Sequence, residues 1–202
     1  MFVQVIQGQV SDAAQVRAQM EKWVAELAPQ AVGWLGSTSG VSDAGQLVAV
    51  ARFESAEAAQ QNSDLPEQGA WWDGMAALFT SEPVFHNSTS VRADIYGDPS
   101  QAQFVQVMQG RSSDPARARE LMANDDVDWP SFRPDILGTV YADHEEDAWT
   151  MVIFFTSEAD AREGEQKEAP PELAAMMEEL NGLAVGEPTF IDLRDPWFNA
   201  PD

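Results

Sequence analysis

The sequence predicts an α+β protein made of two tandem ferredoxin-like βαββαβ units packed sheet to sheet. Three observations carry this expectation: a repeat held at a fixed offset, a hydrophobic period that alternates between strand and helix spacing, and turn residues between the periodic runs. Phe2-Val3-Gln4-Val5-Ile6-Gln7-Gly8 recurs as Phe104-Val105-Gln106-Val107-Met108-Gln109-Gly110, an offset of 104 − 2 = 102 residues. The same offset relates Arg17 to Arg119, Met20 to Met122, Leu35-Gly36 to Leu137-Gly138 and Phe53 to Phe155. Further on, Glu82-Pro83 matches Glu187-Pro188 at 187 − 82 = 105, which places a small insertion in the second copy ahead of its last strand.

Each element has its own signal. The apolar run 2–8 is β-rich and ends at Gly8, after which Ser11-Asp12 can cap a helix whose buried stripe is Val16, Met20, Trp23, Val24 and Leu27, with Pro29 at its end. In the second copy Pro115 stands early in the matching helix, where a missing N–H costs little. Asn124-Asp125-Asp126 and the prolines at 130 and 134 predict that this helix is shorter or broken. Hairpins follow at 32–39 with 46–53 and at 135–142 with 148–155, around polar turns. Ser55 and Ser157 then cap short helices, and further helical patterns carry Trp71, Trp72, Met75, Leu78 and Phe79 or Leu173, Met176, Met177 and Leu180. Last strands are expected near 83–92 and 186–194. The resulting boundaries are a first repeat at 1–96, a linker at 97–102, a second repeat at 103–195 and a tail at 196–202. Helices on one face of each sheet leave the other face in need of cover, so the two copies are expected to form an internal pseudo-dimer within a monomeric chain.

Composition bounds the function. The chain has 34 acidic and 11 basic residues, a formal charge of −23, which disfavours nucleic acid and anionic membranes as partners. It has no cysteine, which removes disulfides, thiol nucleophiles and thiolate-bound metals. No apolar run approaches a membrane span and the first residues lack a secretory pattern, so a cytoplasmic protein is expected. No phosphate-binding glycine loop, nucleophile elbow or zinc-protease motif is present.

The order of elements, with Ala51-Arg52-Phe53-Glu54-Ser55-Ala56-Glu57-Ala58-Ala59 running from strand into helix and Phe154-Phe155-Thr156-Ser157-Glu158-Ala159-Asp160-Ala161 as its second instance, resembles the antibiotic biosynthesis monooxygenase-like (ABM-like) family. The resemblance covers nearly the whole chain, twice, and implies the dimeric α+β barrel fold, here fused into one chain. Members of that family include cofactor-free oxygenases of aromatic polyketides and haem-degrading enzymes. The oxygenases' polar set is not carried over: their Trp position falls on Phe53 or Phe155, their Asn position on Ala49 or Met151, and their Tyr position on Ala59 or Ala161. Neither His86 nor His144 has the helical setting of a haem ligand, so the resemblance implies no cofactor.

Five residues stand out as candidates. His86 lies in the last strand of the first copy where the second has Ile191, and a histidine at an inward position could serve as a catalytic base. Gln4 and Gln106 occupy equivalent places in apolar first strands, where an amide can orient a carbonyl or phenol. Trp72 could stack on a flat ligand, and Arg52 could pair with an anionic group. The histidine, the glutamines and the tryptophan have plainer alternatives: a hydrogen-bonded core histidine, polar groups on a half-exposed strand and ordinary aromatic core. Arg17, repeated as Arg119, reads as a structural ion pair, and His144 among acidic neighbours reads as part of a solvated turn. Two functional readings follow. One is a cofactor-independent monooxygenase acting on an aromatic or polyketide-like molecule, with His86, Gln4 and Trp72 converging on one cavity. The other is a non-catalytic small-molecule-binding or structural protein that keeps the fold without the chemistry.

Overall fold

The computed structural model describes residues 1–123, 128–145 and 147–201. The first half of the chain runs β1 (Phe2–Gln9), α1 (Ala13–Glu26), β2 (Trp34–Val41), β3 (Gln46–Phe53), α2 (Ala56–Ser63), α3 (Pro66–Ala76), β4 (Val84–Ser88) and β5 (Ser90–Ile95). The second half runs β6 (Phe104–Arg111), α4 (Pro115–Met122), α5 (Trp129–Phe132), β7 (Ile136–His144), β8 (Ala148–Phe155), α6 (Glu158–Gly164), α7 (Pro171–Leu183), β9 (Thr189–Leu193) and β10 (Trp197–Asn199). Two five-stranded sheets result, ordered β10-β2-β3-β1-β4 and β5-β7-β8-β6-β9. The α+β class and the βαββαβ order of each unit agree with the sequence.

The helix starts follow the chemistry of their first residues. Asp12 caps α1, accepting from the backbone N–H groups of Ala14 (2.9 Å) and Gln15 (3.1 Å), and Asp114 caps α4 by accepting from Arg117 (3.0 Å). Ser55 and Ser157 cap α2 and α6. Pro66 and Pro171 do not break a helix; each opens one, at the position where its missing N–H is least costly. The insertion in the second copy, 105 − 102 = 3 residues, falls between α6 and α7, because Ser11 and Ser113 bond Leu78 and Leu183, already at the larger offset. Helix α4 is shorter than α1, as expected; Asn124–Asp126, which suggested this, lie outside the described residues.

The domain boundaries differ from the sequence expectation. One unit comprises Met1–Val91 and Asp195–Asp202, the other Arg92–Arg194. The last strand expected at 83–92 is two strands, β4 and β5, and β5 belongs to the second unit's sheet. The tail expected at 196–202 contains β10, which pairs with β2 of the first unit through Trp197 and Ser39, Phe198 and Thr38, and Asn199 and Ser37. The linker expected at 97–102 includes a short 3₁₀ turn, Pro99–Gln101. Strands β2 and β7 would otherwise be sheet edges with unpaired backbone groups, so a supplied fifth strand satisfies them. A glycine makes room for each: a side chain at Gly36, whose φ is +124°, would meet the Asn199 carbonyl at 2.8 Å, and one at Gly138 would meet the Asp94 carbonyl at 2.9 Å. Such close approach was invisible in short polar segments with no alternating pattern.

The first unit's helix-side core joins Val16, Leu47, Trp71, Met75 and Trp197. Arg17 ties α1 to the C-terminal segment, pairing with Asp195 at 3.0 Å and lying 5.6 Å above the Trp197 ring. Replacing Trp197 with Ala removes a buried aromatic from this core and is expected to cost about 3 kcal/mol. Urea unfolding should show the loss, and deletion of residues 195–202 should exceed it because β2 then also loses its partner strand.

Candidate functional site

Strand alternation settles which side chains face the helices. Gln4 pairs with Ala51 and Ala51 with Ser37, so these three share a face, as do Ile6, Ala49 and Phe53 along the same strands. Between this face and helices α1 and α3 lies a cavity of ≈ 90 Å³, room for several waters or a small ring system. Its floor is open because Ala49 and Ala51 are small, and its walls include Trp23, Trp34, Trp71 and Trp72.

The indoles are locked against one another. Trp23 and Trp34 meet edge to face at 4.8 Å, and Trp23 and Trp71 at 6.5 Å. The Trp23 Nε1–H donates to Gln68 Oε1 (2.7 Å) and the Trp71 Nε1–H to the Gln19 carbonyl (2.7 Å). Asn62 also lines the cavity, but its amide is committed: it donates to the carbonyls of Val32 and Ala58 (both 2.8 Å) and accepts from the Val32 N–H (3.0 Å). Gln4 donates from Nε2 to Asn87 Oδ1 (2.9 Å). Among the described residues, Gln4 Oε1, Gln68 Nε2, Ser37 Oγ, Trp34 Nε1 and Trp72 Nε1 have no partner and are the pocket's open hydrogen-bonding groups. Ser37 and Gln68 carried no sequence signal, since a serine in a strand and a glutamine in a helix are unremarkable until the fold brings them together. Among the described residues the lining contains no carboxylate, imidazole, thiol, ammonium or phenol. It therefore offers neither a general base nor a metal-binding donor set.

The expected trio does not converge. Gln4 and Trp72 line the cavity, but His86 pairs with Val5, one position out of phase with Gln4, and so projects from the opposite face of the sheet. There its Nε2 lies 3.4 Å from Gln7 Nε2. The joint assignment of His86 as base beside Gln4 and Trp72 is corrected on this ground. Trp72 packs 5.2 Å from Phe85 and 6.2 Å from Phe79. Arg52 also lies on the face away from the cavity, since its strand neighbours Ala51 and Phe53 face it.

In the second unit the same face is occupied differently. Met151 and Ile153 stand where the first unit has Ala49 and Ala51, and Trp149 where it has Leu47. Gln106 is buried and donates to Asp192 (2.9 Å), which in turn pairs with Arg162 and, at 3.5 Å, Arg194. Arg162 lies 5.2 Å over Phe104, and Arg133, paired with Asp135 at 2.7 Å, lies 5.7 Å over Phe155. The amide proposed from sequence as a ligand contact is thus held by a carboxylate in this copy. Tyr141 is buried, stacks on Trp149 at 6.1 Å and donates to Asp143 (2.8 Å), which also pairs with Arg119 (2.9 Å). Burial, with the Asp143 hydrogen bond, pushes the Tyr141 phenol well above its usual range. His144 is not in a solvated turn: it ends β7, is buried, and its Nε2 lies 2.9 Å from Thr150 Oγ1.

No protein-family model matches this chain, and no curated protein does. Solved structures do match in shape. A protein of Fusobacterium nucleatum described as a candidate monooxygenase superposes with a TM-score of 0.76 at 10% identity, covering 98% of this chain and 94% of the other. A Lactobacillus acidophilus protein described the same way gives 0.72 at 11% identity, covering 98% of both. An anthrone oxidase-like protein gives 0.64 at 10% identity, covering 98% and 90%. At such identities the likeness shows the fold: this chain has, over its whole length, the α+β fold of ABM-like structures. No helix among the described residues is long and apolar enough to cross a membrane.

Two outcomes follow from this geometry. Asn62→Ala strands the Val32 backbone groups and should destabilise the first unit by about 2 kcal/mol in urea unfolding. In a Tyr96→Phe variant, which leaves Tyr141 as the sole tyrosine of the two present, ultraviolet titration should show no tyrosinate at pH values where free tyrosine ionises. Because the folded-state value is raised, stability is complete below the ordinary tyrosine range and falls as pH climbs through it, so tyrosinate should emerge together with unfolding.

Proposed function

We propose that the first unit binds a small, uncharged, planar aromatic molecule in the cavity between its sheet and helices. One observation carries this reading: a tryptophan-walled cavity whose open polar groups are amides, a hydroxyl and two indole N–H groups, with no charged side chain among the described residues that line it. Apolar walls with a few directed hydrogen-bonding groups are what a neutral ring bearing a phenol or carbonyl requires. An ionised ligand would lose its hydration without gaining a counter-charge. Gln4 Oε1 accepts a ligand hydroxyl, Gln68 Nε2 or the Trp34 indole donates to a ligand carbonyl, and Trp72 forms a stacking wall.

A second reading, cofactor-independent monooxygenation of the same ligand, is favoured by the descriptions of the proteins that share the fold. Such a reaction needs an electron-rich, usually deprotonated, substrate before dioxygen can react. No described residue of the lining can take that proton, so an oxidisable ligand would have to enter already deprotonated, carrying a charge the cavity does not match. Binding is therefore the reading the geometry supports better.

2-Naphthol should quench the tryptophan fluorescence saturably, and 2-naphthoate, of similar size but charged, should bind at least about tenfold more weakly. Ala51→Ile, which installs the second unit's own residue on the cavity floor, should abolish quenching with the fold retained; unchanged binding would place the ligand elsewhere. Oxygen uptake with bound 2-naphthol would establish the second reading.

A further inference from the structure

The chain's charge places Arg52 in an unusual position. Of the 11 basic residues, the other ten each reach a carboxylate or a backbone carbonyl: nine form ion pairs, and Lys167 lies 3.4 Å from the Phe132 carbonyl. Arg52 alone, among the described residues, has neither a hydrogen bond nor an ion pair. With 34 carboxylates in the sequence, that isolation does not come from a shortage of partners.

The side chain is also only half exposed. It lies on the face of the first unit's sheet away from the cavity, between Val3 of β1 and Gly36 of β2, neither of which supplies a polar side chain. Nη2 sits 3.0 Å from where a Gly36 side chain would begin, a space that the β10 backbone borders from its other side through the Asn199 carbonyl. Burial draws the group below its usual range, and no carboxylate among the described residues offsets that cost. An arginine stays charged under these conditions, and its planar donor fork matches the two oxygens of a carboxylate or phosphate. Partial removal from water strengthens such a contact over one made at an open surface.

We propose that Arg52 anchors a second binding site, separate from the aromatic cavity, for a small oxoacid anion presenting a carboxylate or phosphate group. The site uses the guanidinium fork that, among the described residues, has no hydrogen-bond or ion-pair partner and is only partly removed from solvent. The overall negative charge repels anions at long range, so binding is weak and strengthens when moderate salt screens that field.

The test uses the full, ¹⁵N-labelled chain and follows arginine Nε–H signals by NMR while inorganic phosphate or, separately, acetate is added against chloride at matched ionic strength. Arg52→Lys assigns the Arg52 signal by its disappearance. The expected result is a saturable shift of that signal with a midpoint at least about tenfold below any shift at Arg111, which is exposed and already paired with Asp147. Phosphate-only saturation identifies a phosphate site, acetate-only a carboxylate site, and saturation by both the shared oxoacid chemistry. A shift that is linear, absent, or equal at Arg111 overturns the proposal. Should Arg52→Lys fail to fold, the wild-type thermal midpoint must rise with one of the two anions over chloride, and no rise has the same overturning force. Arg52→Gln should leave 2-naphthol quenching intact, so failure of one site is separable from failure of the other.

Discussion

The first strand of each repeat, an interior strand of its sheet, sets everything around it. β1 is hydrogen-bonded on both sides, to β3 and β4, and β6 to β8 and β9. With side chains alternating at every residue, a register shift of one position in β1 would send Gln4 and Ile6 away from the helices and bring Val3 and Val5 toward them. The register therefore fixes which residues can meet in the cavity and which can never reach it. His86 and Asn87 are neighbours in sequence, yet Asn87 bonds the cavity residue Gln4 while His86 faces Gln7 on the other side.

Given that frame, the two copies spend the same face differently. The first keeps alanines on the floor and rings it with indoles, leaving space and a few unsatisfied amide and hydroxyl groups. The second places Met151, Ile153 and Trp149 there and covers Phe104 and Phe155 with guanidinium groups held by Asp192 and Asp135. Side-chain volume and charge pairing account for the difference; the backbone register is the same in both, Val5 opposite Val50 and Val107 opposite Val152. A copy whose polar groups satisfy one another has little left to offer a ligand.

Charge follows a related rule. In so acidic a chain, cations are scarce and almost all are engaged: Arg17 and Arg119, equivalent in the repeat, pair with Asp195 and Asp143. Against that background Arg52 is conspicuous for lacking a partner among the described residues, whereas in a basic protein the same side chain would attract no notice.

Much was legible in the sequence because it depends on local pattern. The strand at 2–8, the caps at Asp12, Ser55 and Ser157, the hairpins and the duplicated order of elements all follow from periodicity and cap chemistry, which neighbouring residues determine. The strands β5 and β10 were not legible, since Ser90–Ile95 and Trp197–Asn199 acquire strand geometry by adding to an edge supplied from far along the chain. Nor was the cavity. Gln4, Ser37, Gln68 and four tryptophans come from β1, β2 and helices α1 and α3, and only packing decides that they enclose a space. The sequence by itself determined the fold class and the spacing of its elements, because those are properties of short stretches. Tertiary structure alone decided that His86 stands apart from Gln4, that Asn62 is a brace, and that Arg52 has no partner among the described residues, because facing and partnership are relations between residues that only the folded chain brings together.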